Sequence, residues 1–181
     1  MANVGLEKNL EFWHWYPRLL VQNLTDEQLR WQPESHDTSI IFALWHAYRA
    51  EDDILHGMLM GKAGVFARDG WAGRLPVGDK GVTAFGNGFT REQIGRLELG
   101  TAAVLDYAEA VGRSIATYVR DMSEEEAATS VPLPFFASVY PMLDTMTKGE
   151  MVAFFSIGHV SEHLGEVQFV KGLLGLKGAP L

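Results

Sequence analysis

The stretch SIGHVSEHLGEVQFV (residues 156–170) predicts a helix with two histidines at the edge of its buried face. His159 and His163 are four residues apart, so their side chains share one face of the helix, one turn apart. The core-facing stripe consists of apolar residues that recur at the period of an α-helix: Ala153, Ile157, Val160, Leu164 and Val167. Two imidazoles in this arrangement can bind one metal ion at roughly 2.1 Å each.

A third ligand is needed because two rarely hold a metal ion, and His46 is the best placed residue. His46 lies in SIIFALWHAYRAEDD (residues 39–53), a second predicted helix, again at the edge of the apolar stripe. That stripe comprises Ile40, Ala43, Ala47, Ile54 and Met58. If the two helices pack together, three imidazoles meet at one end or side of the protein. The spacing alone also fits polar residues on the rim of a core helix, so this alternative stays open.

Three charged residues lie close enough in the helical pattern to assist the histidines. Asp53 lies two turns below His46 and Arg49 one turn below it. Asp53 could accept a hydrogen bond from an imidazole or bind the ion, or it could form an i, i+4 ion pair with Arg49. Glu166 falls beside His159 and either orients its ring or is solvated.

The other polar residues of these helices receive no chemical role from the sequence. We expect three acidic side chains to point into solvent: Glu51, Asp52 and Glu162. His14 lies among the aromatic residues of the first helix, which favours packing over metal binding. His36 and His56 have no partner at ligand spacing. The chain has no phosphate-binding glycine loop and no recognisable nucleophile motif, so no catalytic residue is assigned.

The whole chain, residues 1–181, is predicted to form one all-α domain with four long helices. The predicted helices span about residues 3–23, 39–61, 90–120 and 147 to 172 or 175, and no long strand is expected. Pro17 should kink or break the first helix. Capping boxes begin at three threonines: Thr25, Thr90 and Thr147. Ser123 is expected to cap one further short turn.

Two of the connections between helices are long, spanning residues 62–89 and 127–146. Loops of this length without structure of their own are uncommon unless they serve a site or are disordered, and their aromatic residues argue against disorder. The aromatics either wall a pocket, with Trp71, Phe135 and Tyr140 lining it, or cover core exposed at the ends of the helices.

Composition excludes several classes of function. The chain has a net charge of -8 and no cluster of Lys and Arg, which argues against binding nucleic acid. It contains no cysteine, so disulfides and thiolate ligands from the chain are excluded. Glu7 and Glu11 interrupt the N-terminal stretch, unlike a signal peptide, and no segment approaches the roughly 20 apolar residues of a membrane span. We expect a cytoplasmic protein without a membrane partner.

Three segments resemble the DinB-like superfamily, which includes the mycothiol-dependent maleylpyruvate isomerase and related bacterial thiol transferases. They are SIIFALWHAYRAED (residues 39–52), RDGWAGR (residues 68–74) and GHVSEHLGE (residues 158–166), within a resemblance that runs from about residue 5 to 175. The resemblance implies a four-helix bundle with long crossover connections, usually a homodimer. It also implies a divalent metal held by His46, His159 and His163.

The resemblance further implies a small-molecule substrate and an external low-molecular-weight thiol that binds the metal. Zinc is the default ion, and nickel, iron and manganese accept imidazole as well. The leading function is therefore a metal-dependent, thiol-dependent transferase. The alternatives are a metal-dependent hydrolase and a non-catalytic stress or binding protein whose metal is structural or absent.

Overall fold

Four long helices dominate the computed structural model, which describes residues 4–79, 81 and 85–178. We label them α1 (Val4–Leu20), α2 (Ile40–Ile54), α3 (Thr101–Asp121) and α4 (Val160–Leu173). The prediction of an all-α fold is confirmed. Short helical segments span Asp26–Arg30, Val65–Arg68, Trp71–Gly73, Arg91–Gly95, Glu124–Ala127, Pro134–Ala137, Pro141–Leu143 and Lys148–Val152.

Local sequence sets where the helical segments begin. Thr25, Thr90 and Thr147 each accept a hydrogen bond from the backbone N–H three residues later, and the side chain at that position bonds back to the threonine N–H. All three predicted capping boxes are therefore confirmed. Ser39 caps α2 by accepting a hydrogen bond from the N–H of Phe42 at 3.3 Å.

Pro17 lies inside α1 and the helix continues to Leu20, so of the two predicted effects, a kink or a break, the break does not occur. A proline lacks the N–H that would bond the carbonyl four residues earlier. That carbonyl belongs to Trp13, and the hydroxyl of the buried Tyr48 in α2 donates to it at 2.7 Å. The hydrogen bond that Pro17 removes is thus replaced from a neighbouring helix.

The prediction of one continuous helix from Thr90 to about Arg120 is wrong. A short helix, Arg91–Gly95, is followed by a break, and α3 begins only at Thr101. The guanidinium of Arg30 donates to the carbonyl of Leu97 at 2.6 Å and to that of Leu99 at 2.8 Å. These carbonyls accept hydrogen bonds from the Arg30 side chain instead of from N–H groups of a following helical turn. This stabilises the break.

A π-helical turn, Leu55–Leu59, continues α2 without interruption and changes which residues face the core. A π-helix bonds residue i to i+5 and so holds more residues per turn than an α-helix. Ile40, Ala43 and Ala47 are buried as predicted, but Met58 is 41% exposed. The residues buried in the π turn are Leu55, His56 and Leu59. The prediction of the α2 stripe is therefore wrong at its C-terminal end.

A π-helical segment also changes which residues face the core at the start of the fourth predicted helix. Lys148–Val152 runs through a π-helix, Ala153–His159, directly into α4. Ala153 is exposed and Ile157 is only partly buried, whereas Phe155 is buried. Downstream of the π-helix the predicted stripe is correct, with three residues fully buried: Val160, Leu164 and Val167.

The helices enclose a shared apolar core. Helix α2 packs against both α3 and α4, and α1 packs against α3 and α4. The connection after α3 contains two antiparallel strands, β1 (Ser130–Pro132) and β2 (Thr145–Thr147), in which Val131 pairs with Met146. No helix in the described part of the chain is long and apolar enough to cross a membrane.

Candidate metal centre

Three histidines from two helices converge at the interface of α2 and α4. His46 lies in α2, His159 ends the π-helix, and His163 lies in the first turn of α4. One nitrogen from each ring lies within 4.8 Å of the others, and all three side chains are half-buried. Among the described residues, no further His, Asp or Glu joins this group. The packing expected from the two sequence patterns therefore brings the three imidazoles together.

Two of the rings are held by hydrogen bonds at Nδ1. His46 Nδ1 donates to the carbonyl of Phe85 at 2.8 Å, and His163 Nδ1 donates to Glu166 Oε2 at 3.0 Å. Both partners are acceptors, so they place the ring proton on Nδ1 and leave the lone pair on Nε2. This is how metal-binding histidines are usually oriented.

The distance between His159 Nε2 and His163 Nε2 tests whether a metal ion fits. It is 3.2 Å. Two lone pairs at this distance repel, so the arrangement is stable when a proton or a cation lies between them. Nitrogens bound to one ion at about 2.1 Å and at angles of 90–110° lie roughly 3.0–3.4 Å apart. His159 and His163 therefore have the spacing that one divalent ion requires, and a nitrogen of His46 lies within 4.8 Å of both.

Burial favours the neutral form of two of these histidines, the form in which an imidazole can bind a metal ion. Desolvation, together with the neighbouring His163 and His46, lowers the pKa of His159 to about 3. Burial also lowers the pKa of His46, although its hydrogen bond to Phe85 opposes this. The hydrogen bond from His163 lowers the pKa of Glu166, which is therefore a carboxylate at neutral pH.

The residues expected to assist the histidines divide into two groups. Glu166 orients the imidazole of His163, which differs from both alternatives that the sequence left open, orientation of His159 and a solvated side chain. The ring of His159 lies one turn earlier, with its centroid 4.6 Å from that of His163. Asp53 and Arg49 form the i, i+4 ion pair that the sequence left as an alternative. The Arg49 guanidinium also lies over the ring of Phe66, 4.5 Å from its centroid, away from the histidines.

Two clefts flank the triad. An apolar cleft of about 730 Å³ is lined by His46 and His159 and by aromatic residues from the 127–146 connection. Phe135 and Tyr140 line it, as predicted for pocket-forming residues. A smaller, more polar cleft of about 230 Å³ opens beside His46 and His163: it is lined by Asp37, Thr38, Asn87 and Glu166, among others.

Trp71 does not line either cleft, so that prediction is wrong. Its side chain is 6% exposed and packs against Tyr107 of α3, with ring centroids 5.3 Å apart. Arg74 covers the other side of the indole, 4.1 Å from its centroid. The aromatic of this connection therefore covers core, the second alternative that the sequence left open.

Glu51 and Asp52 were expected in solvent, but both are fully buried. Helix α2 has neighbours on several sides, so few of its residues reach water. Each buried acid pairs with a buried histidine: Glu51 with His14 at 2.9 Å and Asp52 with His56 at 2.8 Å. The packing of His14 is as predicted. Glu162 points into solvent, also as predicted.

Phe85 is a site residue that sequence reasoning missed. Its carbonyl holds His46, and its backbone has a φ of 41°, in the left-handed region that few non-glycine residues adopt. The aromatic side chain gives no signal for this role because the contact is made by the backbone. Only the glycine-rich character of the connection indicates unusual backbone geometry there.

Comparisons with known proteins agree with the helical architecture. The family model of the DinB superfamily matches residues 17–167. A solved structure described as a conserved protein of locus from Enterococcus faecalis is 15% identical, with a TM-score of 0.78 over 97% of this chain and 98% of that chain. At this identity the likeness concerns the fold alone. None of the curated proteins compared matches the chain.

Proposed function

Because the chain belongs to the DinB superfamily, we propose that it is a metal-dependent enzyme with the four-helix-bundle fold, acting on a small molecule. His46, His159 and His163 bind one divalent ion per chain. The observation that carries the proposal is the convergence of these three imidazoles within 4.8 Å. Zinc is the default ion, and nickel, iron and manganese also bind imidazole.

The chain contributes a pre-oriented set of neutral ligands. Phe85 and Glu166 fix the ring orientation of His46 and His163 through their Nδ1 atoms. Three protein ligands leave at least one coordination position open, as in catalytic rather than structural sites. When bound there, the ion lowers the pKa of a coordinated thiol or water and so supplies a nucleophile at neutral pH.

The clefts on either side of the triad favour a reaction between two molecules. The apolar cleft of about 730 Å³ suits the organic acceptor, which would lie against His46 and His159. The polar cleft of about 230 Å³ beside His46 and His163 suits a low-molecular-weight thiol. Hydrolysis needs room for only one organic substrate. A thiol-dependent transferase is therefore our first choice, and a metal-dependent hydrolase is the alternative.

Metal content tests the ligand assignment. We expect about one divalent ion per chain in protein purified without chelator or affinity metal, measured by elemental analysis. His159→Ala and His163→Ala should abolish stoichiometric binding. His56→Gln is the control because its ring contacts Asp52 and Ser114 and not the triad. Full occupancy in a His46/His159/His163 triple-alanine variant would contradict the proposal.

Cobalt substitution tests the reaction class. Thiolate binding to cobalt adds an intense near-ultraviolet charge-transfer band, so bacillithiol, mycothiol and glutathione can be titrated in turn. A saturable band with one of them, lost in His163→Ala, supports thiol-dependent transfer. Absence of a band with every thiol, while water on the metal still exchanges, favours the hydrolase. A metal without an exchangeable ligand favours the non-catalytic alternative.

We also infer a homodimer that uses α1. Phe12 is 45% exposed and Trp15 is 51% exposed on this helix. Large aromatic residues are enriched at interfaces between proteins, and few soluble monomers leave them uncovered together. Sedimentation equilibrium at tens of micromolar should give the mass of a dimer. Trp15→Glu should shift the equilibrium toward monomer, whereas a monomeric wild type contradicts the inference.

A further inference from the structure

A second group of polar side chains lies where the end of α2 meets α3. His56 Nδ1 donates to Asp52 Oδ1 at 2.8 Å and to the Asp52 carbonyl at 3.0 Å. These acceptors place the ring proton on Nδ1. His56 Nε2 therefore accepts the hydrogen bond from the Ser114 hydroxyl, at 2.8 Å. Carboxylate, imidazole and hydroxyl follow one another in the order found in Ser-His-Asp hydrolases.

The carboxylate of Asp52 is fixed by four donors although it is fully buried. The hydroxyl of Tyr107 donates to it at 2.6 Å, and the N–H groups of Val65 and Phe66 donate at 2.8 Å each. Burial raises the pKa of Asp52, but the hydrogen bonds from His56, Tyr107 and Phe66 lower it below its usual range. Asp52 is therefore ionised and stabilises a positive charge that forms on His56.

Ser114, the last member of the hydrogen-bonded series Asp52–His56–Ser114, is accessible to solvent. Its side chain is half-buried and lies in the wall of a cleft of about 690 Å³. A serine in the middle of a helix commonly bonds the carbonyl one turn earlier or faces water, whereas this hydroxyl is held by an imidazole. The hydroxyl is thus both accessible and next to a base.

This cleft is separate from the metal centre. His46 and His56 are ten residues apart on one helix, which corresponds to about 15 Å along its axis. In the described part of the chain, the cleft shares no lining residue with the two clefts beside the triad. Its lining is part apolar and part polar, and its charged residues carry both signs: Lys62, Arg68, Asp69, Arg113, Asp121 and Glu126.

We propose that Ser114, His56 and Asp52 form a second active site, independent of metal, in which Ser114 is acylated by a small polar carboxylic ester. The charged lining selects against lipid-like esters. Ser114 and His56 are the catalytic residues, and Asp52 is a positioning residue that acts through His56.

Each step balances with the groups present. Ser114 Oγ forms a bond to the acyl carbon while its proton passes to His56 Nε2. The tetrahedral centre collapses by breaking the bond to the leaving alkoxide, which takes the proton from His56 Nε2. Water then attacks the acyl group by the same route, so the acid is released and Ser114 is restored. A positioned base contributes typically about 10²–10⁴-fold to such a reaction.

Covalent labelling of the full chain with a fluorophosphonate probe tests the nucleophile. The serine oxygen forms a bond to phosphorus and fluoride leaves, so the adduct marks the reactive residue. We expect peptide mass spectrometry to place the adduct on Ser114, with Ser123 and Ser138 of the same digest unlabelled. Prior dialysis against a chelator should leave the rate unchanged. An adduct spread equally over these serines, or none on Ser114, overturns the proposal.

Two variants separate reactivity from folding. Ser114→Ala should remove the adduct, and His56→Gln should slow labelling at least about 100-fold. Both should keep a cooperative thermal transition because Ser114 is half-buried and glutamine can still bond Asp52. If His56→Gln unfolds, the burst of p-nitrophenol from p-nitrophenyl acetate in wild type decides: about one per chain supports the proposal, and no burst overturns it.

The role of Asp52 has a spectroscopic signature. In ¹⁵N-labelled wild type, the His56 resonances should show the proton on Nδ1. Asp52→Asn should populate the Nε2–H form, which cannot accept the Ser114 proton, and slow the labelling of Ser114. If Asp52→Asn changes the tautomer of His56 but leaves the rate of Ser114 labelling unchanged, Asp52 has no positioning role.

Discussion

Gly112 of α3 lies directly against the imidazole of His14 in α1: a Cβ at position 112 would be 2.4 Å from the ring Cγ. Gly112→Ala should therefore destabilise the protein by about 1–3 kcal/mol, because α1 or α3 must shift. Gly165→Ala is the matched control, since nothing lies within 4 Å of its added Cβ in α4. It should stabilise by up to about 1 kcal/mol. Urea unfolding measures both, and equal effects would contradict the steric account.

The same histidine is built to carry a positive charge inside the protein. His14 Nδ1 donates to the carbonyl of Leu10 at 2.7 Å, and Nε2 donates to Glu51 at 2.9 Å. Burial lowers the pKa of His14, but the charge and hydrogen bond of Glu51 outweigh it, so the pKa lies above 6.5. The adjacent cleft also places Glu109 and Arg113 of α3 near this ring.

We predict that the free energy of unfolding depends on pH through His14. A raised pKa means that the stabilisation is fully present below pH 6.5 and is lost as the pH rises through the pKa of the folded protein. Glu51→Gln removes the charge that raises this pKa, so the decline above pH 6.5 should flatten. Urea titrations between pH 5.5 and 9 measure both curves. Parallel curves would show that the His14–Glu51 pair does not control how the free energy of unfolding depends on pH.

Glu166 should control metal affinity without binding the ion. Loss of its hydrogen bond frees the ring of His163, so Glu166→Ala should weaken metal binding about 10–100-fold. Glu162→Ala removes the same charge one turn earlier, at an exposed position, and should leave the affinity unchanged. Competition with a chromophoric chelator measures both constants. Equal losses would point to general electrostatics instead of ring orientation.

Tyr48→Phe should lower the free energy of unfolding, because Pro17 leaves the Trp13 carbonyl dependent on the Tyr48 hydroxyl. Without the hydroxyl, the buried carbonyl of Trp13 loses its partner, which costs about 1–3 kcal/mol. Tyr16→Phe, at a half-buried position next to Pro17, should change stability by less than about 0.5 kcal/mol. Chemical denaturation distinguishes the two. In a Tyr48→Phe/Pro17→Ala double variant, the helix regains its own N–H donor, and most of the loss should be recovered.

Features that depend on neighbouring residues were predictable from the sequence. The capping boxes at Thr25, Thr90 and Thr147 need only residues three apart, and the structure contains each of them. The face shared by His159 and His163 likewise follows from one helical turn. Their meeting with His46 was expected only on the condition that the two helices pack together, which neither spacing nor periodicity establishes.

Features that depend on packing between helices were not predictable. Asp52 and Ser114 are 62 positions apart in the chain, and only the contact of α2 with α3 brings them to one histidine. Periodicity treats a charged residue as a marker of the surface, so Asp52 was placed in solvent. The four donors that stabilise its burial come from three separate segments. Arg30 breaks the third helix for a similar reason, because its effect acts across the fold.

Both π-helical segments carry a histidine of a candidate site: Leu55–Leu59 contains His56, and Ala153–His159 ends at His159. A π turn is equivalent to a single-residue insertion in an α-helix. Loss of one codon within either segment would restore the α-helical register and rotate one side of the helix relative to the other by about 100°. The helix would survive, while the imidazole would point elsewhere. In-frame deletions of one codon at these two places should therefore abolish chemistry in a chain that still folds.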